Sequence, residues 1–200
     1  RFQLDIPDNK IENLEFYKPS DDSDEIKYLK KRRDILGGPL PKRSFKKVEL
    51  KTPSIEKHSN FLFEKSDREY STTTGLVRSL GNIMRDKDFG KRVVPIVADE
   101  ARTFGMANLF SQIGIYSPDG QLYEPEDATS ILKYQESKTG QLLEEGINEA
   151  GAISSWLAAA TSYSNHNFPM MPFYIFYSMF GFQRIGDLIW AAADQMPRGF

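Results

Sequence analysis

Cysteine is absent from this 200-residue chain, and histidine occurs only twice. The lack of cysteine excludes disulfides, thiolate metal sites and cysteine nucleophiles, and it is compatible with a reducing compartment, so we expect a cytoplasmic protein. His58 and His166 lie in different regions without spaced carboxylates around them, which argues against a histidine metal site and against a serine triad. We therefore predict no metal ligands in this chain.

A strong charge of one sign is also lacking, since the formal net charge is -2 and the pI is about 5.8. A basic cluster within residues 42–47 is balanced by acidic residues nearby and indicates a solvated linker. The most apolar stretch, residues 168–182, contains two prolines and is shorter than the roughly 20 residues that a membrane-spanning helix needs. Neither nucleic acid nor a membrane is predicted as a partner.

Glycine-rich nucleotide motifs are missing as well. Gly146 and Gly151 do not form a G-x-G-x-x-G turn, and no G-x-x-x-x-G-K-[ST] loop occurs. Ser154, Ser155 and Ser178 lie outside any G-x-S-x-G elbow. The sequence thus predicts neither a diphosphate cradle nor a serine hydrolase.

Apolar patterning favours an α/β fold in the second part of the chain. The composition changes near residues 50–70, from a charged, turn-rich arm with a short helix at residues 25–33 to a region that opens with a helix after Ser71. Short apolar strands then alternate with helices, with strands at residues 93–98, 142–143 and 173–177 and helices at residues 148–162 and 183–195. The first of these two helices is rich in alanine and is expected to be buried on most faces, and the second to lie at the surface. This alternation is typical of a parallel sheet with helices on both faces.

Ligands of such sheets bind beyond the carboxyl ends of the strands, which directs attention to three clusters. These are Asp99 and Glu100 after the first strand, residues 145–149 after the second, and residues 177–184 after the third. Glu149 stands out because it is a carboxylate among small and apolar residues. Each candidate also has a plain interpretation: Tyr177 and Phe180 as core aromatics, Arg184 as a surface charge on a helix, Asp99 as a helix cap and Glu149 as a structural carboxylate.

Four blocks carry a resemblance to a known family: residues 98–106 (ADEARTFGM), 112–118 (QIGIYSP), 145–149 (EGINE) and 180–187 (FGFQRIGD). They resemble the homodimeric bacterial pyruvate dehydrogenase, the thiamine diphosphate-dependent first component of the pyruvate dehydrogenase complex. The resemblance extends over essentially the whole chain and is weakest in residues 1–70. It implies a transketolase-like α/β fold and an internal segment of a longer protein, with residues 1–48 ending the diphosphate-binding domain and its linker and residues 49–200 beginning the pyrimidine-binding domain.

The resemblance also implies roles for the strand-end residues. Glu149 matches the carboxylate that hydrogen-bonds the pyrimidine ring, and its apolar surroundings lead us to expect a raised pKa. Phe180 would pack against the pyrimidine. Tyr177 and Arg184 would face the substrate end, where a phenol and a cation can hold the carboxylate of pyruvate and polarise its carbonyl. Asp99 and Glu100 match a further acidic pair at the active centre.

By resemblance, the parent enzyme decarboxylates pyruvate from glycolysis oxidatively and acetylates lipoyl groups of the dihydrolipoamide acetyltransferase, in a homodimer with shared active sites. The family's Gly-Asp-Gly motif for diphosphate and magnesium is missing, since only Gly186-Asp187-Leu188 occurs, at a predicted helix position. We therefore expect the magnesium ligands outside this segment, upstream of Arg1, and expect the isolated segment to be inactive.

Two alternatives from other classes stay open. The chain could be a non-catalytic α/β module in which the strand ends serve packing or subunit contacts. It could also belong to another thiamine diphosphate enzyme, such as a transketolase, although the absence of an evident phosphate-binding cluster near the strand ends argues mildly against a sugar phosphate substrate.

Overall fold

The computed structural model describes residues 6–14, 16–40, 48–58 and 67–200. The chain divides into two compact units, Arg1–Arg43 and Ser44–Phe200. The basic cluster interpreted as a linker lies within residues 41–47, outside the described residues. The assignment of residues 1–48 to a first domain and its linker stays a prediction.

The first unit contains helix α1 (Asp8–Glu12) and helix α2 (Asp24–Ile35). Helix α2 begins where the sequence predicts it, because the Ser23 hydroxyl accepts a hydrogen bond from the Ile26 amide at 3.4 Å and acidic residues fill the first turn. Neither helix buries a residue. Helix α2 is therefore stabilised by its cap and its end charges rather than by a core.

The second unit has a three-stranded parallel sheet in the order β4-β1-β5. Strand β1 spans Val93–Val97, β4 Leu143–Glu144 and β5 Met171–Ile175. A separate parallel pair, β2 (Ile115–Tyr116) with β3 (Glu136–Ser137), was not predicted from the sequence. The register places Val97 opposite both Glu144 and Ile175, so the three strands of the main sheet end at one edge.

Helices of the second unit precede, connect and follow these strands. They are α3 (Thr72–Met84), α4 (Phe110–Ile113), α5 (Glu149–Ala160), α6 (Ser162–Asn165), α7 (Phe180–Gln183) and α8 (Gly186–Asp194), with 3-10 turns at Ile55–His58, Gly90–Arg92, Ala101–Phe104 and Ala107–Leu109. The predicted hydroxyl cap of α3 is confirmed, since the Ser71 hydroxyl accepts a hydrogen bond from the Thr74 amide at 3.1 Å.

Both faces of the main sheet are covered, which confirms the predicted fold class. Val93 packs with Leu80 and Met84 of α3 on one face, and Ile96 packs with Ala152 of α5 on the other. Side chains on the two faces of β1 therefore pack into two separate parts of the core. Helix α5 is less buried than predicted, because Ala150, Ser154 and Ala158 form an exposed stripe along it.

Candidate active site

The candidate site lies at the edge where the parallel strands end. Glu149 is the first residue of α5, and the chain reaches it from β4 through a turn at Gly146, whose φ of 65° suits glycine. The side chain of Asn148 caps the helix, because its Oδ1 accepts a hydrogen bond from the Gly151 amide at 3.0 Å. The cap fixes the direction of the helix start and with it the backbone of Glu149.

Glu149 forms an ion pair with Arg184, whose Nη1 donates to Glu149 Oε1 at 2.6 Å. Glu149 is only 8% exposed, whereas the Arg184 side chain is 50% exposed. The pair joins the residues that follow β4 to those that follow β5. Arg184 is therefore not a plain surface charge, since it neutralises a buried carboxylate.

The expectation of a raised pKa for Glu149 was wrong. The hydrogen bond from Arg184 lowers the pKa of Glu149, and this effect outweighs the burial that would raise it. Local composition indicated small and apolar neighbours but could not show a guanidinium 35 residues further along the chain. Glu149 is thus an ionised carboxylate at neutral pH.

Phe180 lies beside this pair, and neither Phe180 nor Tyr177 is a core aromatic. Phe180 is 54% exposed, and the Arg184 guanidinium lies 5.2 Å from the centre of its ring. Tyr177 is 40% exposed and stacks on Phe104, with ring centres 4.4 Å apart and planes at 27°. The plain interpretation of both rings as buried core is therefore wrong.

Tyr177 opens onto a polar cavity of about 460 Å³. Its lining is rich in hydroxyl groups and consists of Ser71, Thr73, Thr74, Thr103, Phe104, Gly105, Phe176, Tyr177 and Ser178. Ser178 has a φ of 42°, in the left-handed region that non-glycine residues seldom adopt. Such strain costs on the order of 1 kcal/mol and is typical of functional turns.

Asp99 and Glu100 follow strand β1 at the same edge. The Glu100 carbonyl accepts a hydrogen bond from the Thr103 hydroxyl at 2.5 Å, and its side chain is exposed, whereas Asp99 is half-buried. The cap interpretation of Asp99 was wrong, because Glu100 occupies the cap position of the turn Ala101–Phe104 and no side chain caps it. The structure brings these carboxylates to the edge without a direct contact to Glu149.

Sequence reasoning missed Glu144 and Tyr174. The carboxylate of Glu144 accepts a hydrogen bond from the Ala101 amide at 2.8 Å, and burial raises its pKa. Burial and the nearby charge of Glu149 raise the pKa of Tyr174 to about 12. Among the described residues the Tyr174 hydroxyl is the one buried side-chain group without a hydrogen-bond partner. The position of Glu144 at a strand end was the available signal, whereas nothing local distinguished Tyr174.

Residues that could bind a metal are not grouped in the part of the chain that the structure describes, where no three His, Asp or Glu side chains form a potential metal site. Among the residues that the structure describes, no helix has the length and hydropathy required to cross a membrane.

Comparison with known proteins shows to which family the chain belongs. The family model described as the pyruvate dehydrogenase E1 component middle domain matches residues 58–200. The chain belongs to this family. Its α/β fold is thus the transketolase-like, thiamine diphosphate-binding fold that the sequence blocks implied.

Relatives named pyruvate dehydrogenase E1 component match the chain along its length. The protein from Pseudomonas aeruginosa is 56% identical over 100% of this chain and 23% of its own length, and that from Escherichia coli K12 is 53% identical over 100% and 22%. The protein from Mycobacterium tuberculosis is 50% identical over 92% of this chain and 20% of its own length. The chain thus spans about a fifth of the length of these curated relatives.

Proposed function

We propose that this chain supplies the pyrimidine half of a thiamine diphosphate site in a pyruvate dehydrogenase. The single observation that carries the proposal is Glu149, a buried and ionised carboxylate held by Arg184 at the carboxyl edge of the sheet. Membership of the pyruvate dehydrogenase E1 family supports the same assignment. A carboxylate in this position could form the hydrogen bond that the ring nitrogen of the thiamine pyrimidine requires.

The described residues fit one half of the cofactor. Glu149 offers a carboxylate, and the exposed ring of Phe180 offers an apolar face against which a flat heterocycle can pack. A metal-ligating cluster does not occur among the described residues. We further propose, from the family resemblance, that residues outside this chain bind the diphosphate and magnesium and that two subunits of a homodimer share each site.

The chain's own residues orient the reacting groups. Bound thiamine diphosphate would supply a thiazolium carbon nucleophile for a 2-oxo acid. Glu149 would accept a hydrogen bond from the pyrimidine ring nitrogen and would favour a proton at that atom, and the hydrogen bond from Arg184 favours the ionised form of Glu149. Tyr177, at the polar cavity, is assigned to the substrate carbonyl. Asp99 and Glu100 add negative charge at the same edge.

The family resemblance implies a second role for Arg184, as a partner of the carboxylate of pyruvate. Its guanidinium has five N–H donors, and the contact with Glu149 uses one nitrogen, Nη1. Half of the side chain is exposed, so the cation is accessible to a ligand. The assignment to pyruvate therefore stays a prediction beside the contact with Glu149.

The parent reaction follows as a proposal. It is oxidative decarboxylation of pyruvate, with reductive acetylation of lipoyl groups on the dihydrolipoamide acetyltransferase, in the cytoplasm and within the multienzyme complex. The relatives' name, pyruvate dehydrogenase E1 component, supports the substrate and the complex.

Ferricyanide reduction by the complete parent chain tests this function. We expect activity with pyruvate that requires both thiamine diphosphate and magnesium. Activity with a ketose phosphate instead of pyruvate would indicate a transketolase-type enzyme. No cofactor-dependent activity with either substrate would favour the non-catalytic module.

A further inference from the structure

Phe104 is the residue that connects the candidate substrate end to the core. Its ring stacks on Tyr177 at 4.4 Å, although the two residues follow different strands, β1 and β5. Phe104 is half-buried and packs against the core cluster that contains Met106 and Phe110. Tyr177, by contrast, is exposed. The stack therefore attaches an exposed ring to an anchored one.

The turn that carries Phe104 is held at several points. The Glu144 carboxylate accepts the Ala101 amide hydrogen at 2.8 Å, and the Ala101 carbonyl accepts the Met106 amide hydrogen at 3.0 Å. Gly105 ends the turn with a φ of 71°, a conformation that glycine adopts without strain. A side chain of strand β4 and a hydrogen bond within the segment itself thus fix the backbone that presents Phe104.

Tyr177 lacks comparable support from its own segment. The next residue, Ser178, has a φ of 42°, which costs energy for a side chain with a Cβ atom. Tyr177 follows the last residue of β5 by only two positions and precedes α7, a single helical turn. An aromatic stack restricts the orientation of such a ring, because offset stacked pairs favour a limited range of distances and angles.

We propose that Phe104 is a positioning residue that acts through Tyr177 and sets where the phenol lies in the polar cavity. This inference rests on the proposed function, which assigns Tyr177 to the substrate carbonyl. Phe104 also lines this cavity, and we assign its effect to the stack with Tyr177 rather than to a contact with the substrate. Phe104 contributes only the face of its ring to the stack with Tyr177. Another side chain with a planar aromatic ring should therefore hold Tyr177 equally well.

The competing explanation is that Phe104 only fills core volume. Both explanations predict some loss of stability when the ring is removed, so stability alone does not separate them. They differ in coupling: a residue that acts through Tyr177 loses its effect when the Tyr177 hydroxyl is absent, whereas a core residue keeps it.

The experiment is a double-mutant cycle in the complete parent enzyme, with kcat and KM for pyruvate measured for Phe104→Leu, Tyr177→Phe and the double variant. Phe104→Leu should lower kcat/KM about 2- to 10-fold, the range that corresponds to the coupling in a stacked aromatic pair. In the Tyr177→Phe background the same substitution should change kcat/KM by less than about twofold. Phe104→Tyr should restore the wild-type value, since it retains the ring. Phe104→Met replaces Phe104→Leu if the latter fails to fold, and thermal unfolding is measured for every variant.

An equal loss in both backgrounds, or no loss in the Tyr177-containing enzyme, would overturn the inference and leave the proposed function intact. No effect of Tyr177→Phe on pyruvate turnover would contradict the role of Tyr177 and the inference together. An inactive wild-type parent, despite bound cofactor, would contradict the proposed function itself and remove the basis of the inference.

Discussion

Glu149 combines two properties that usually oppose each other, burial and a lowered pKa. Burial alone disfavours the charged form of a carboxyl group, and the guanidinium at 2.6 Å reverses the balance. A carboxylate that stays ionised is a hydrogen-bond acceptor at both oxygens. This property suits it to hold a protonated ring nitrogen rather than to donate a proton to one.

The ion pair predicts how stability depends on pH. Because the folded-state pKa of Glu149 lies below its ordinary value of 4.5, the pair stabilises the fold above about pH 4.5 and this contribution is lost as pH falls through the folded-state pKa. Arg184→Met should therefore lower the thermal midpoint of the parent chain at pH 7. The difference from the wild type should shrink as pH falls below about 4.5.

Arg85→Met is the matched control, since Arg85 is exposed and donates to the Asn82 side chain rather than to a carboxylate. Its thermal midpoint should differ from the wild type by an amount that does not change between pH 7 and pH 4. A pH-independent difference for Arg184→Met would contradict the lowered pKa of Glu149.

At the scale of elements, the start of α5 and the short helix α7 position the site. Asn148→Ala should destabilise the domain by about 1 kcal/mol, because the Gly151 amide loses its cap. Asn148→Ser keeps a capping oxygen and should cost no more than a few tenths of a kcal/mol. Denaturant midpoints of the parent chain measure both variants, and equal midpoints for them would argue against the cap.

Helix α7 allows no side chain at Gly181. A Cβ atom there would lie 1.9 Å from a ring carbon of Phe176, so Gly181→Ala should destabilise the domain by about 1–3 kcal/mol through overpacking. A Cβ atom at Gly186, at the start of α8, would meet no atom within 4 Å. Gly186→Ala should therefore leave the denaturant midpoint unchanged or raise it slightly. Denaturant unfolding of the two variants side by side checks the difference, and equal stability would contradict the packing described.

Local signals predicted the long elements of this fold but not its contacts. Hydroxyl caps and apolar runs are signals contained in a few consecutive residues. For this reason α2, α3, β1 and β5 lie close to their predicted positions. Strands β2 and β3 have two residues each and leave no periodicity to detect. The contacts of Glu149 with Arg184 and of Phe104 with Tyr177 join residues far apart in sequence, so composition could not show them.

At the scale of the whole molecule, this chain carries about a fifth of the length of its relatives. The described residues offer a carboxylate and aromatic rings for a heterocycle but no cluster that could bind a metal ion. We predict that the isolated 200-residue chain does not decarboxylate pyruvate, even with thiamine diphosphate and magnesium. Carbon dioxide release by the chain alone, assayed beside the complete parent, would refute this prediction.

The most direct test of the central claim is the affinity of the complete parent chain for thiamine diphosphate, measured with magnesium present beside pyruvate-dependent ferricyanide reduction. Glu149→Ala should weaken cofactor binding and lower the activity at saturating cofactor by at least about 100-fold, the scale of lost acid–base catalysis. Asp194→Ala, which removes an exposed carboxylate at the end of α8, should match the wild type in both measurements. Wild-type activity in the Glu149→Ala enzyme would contradict the account and make Glu149 a structural carboxylate.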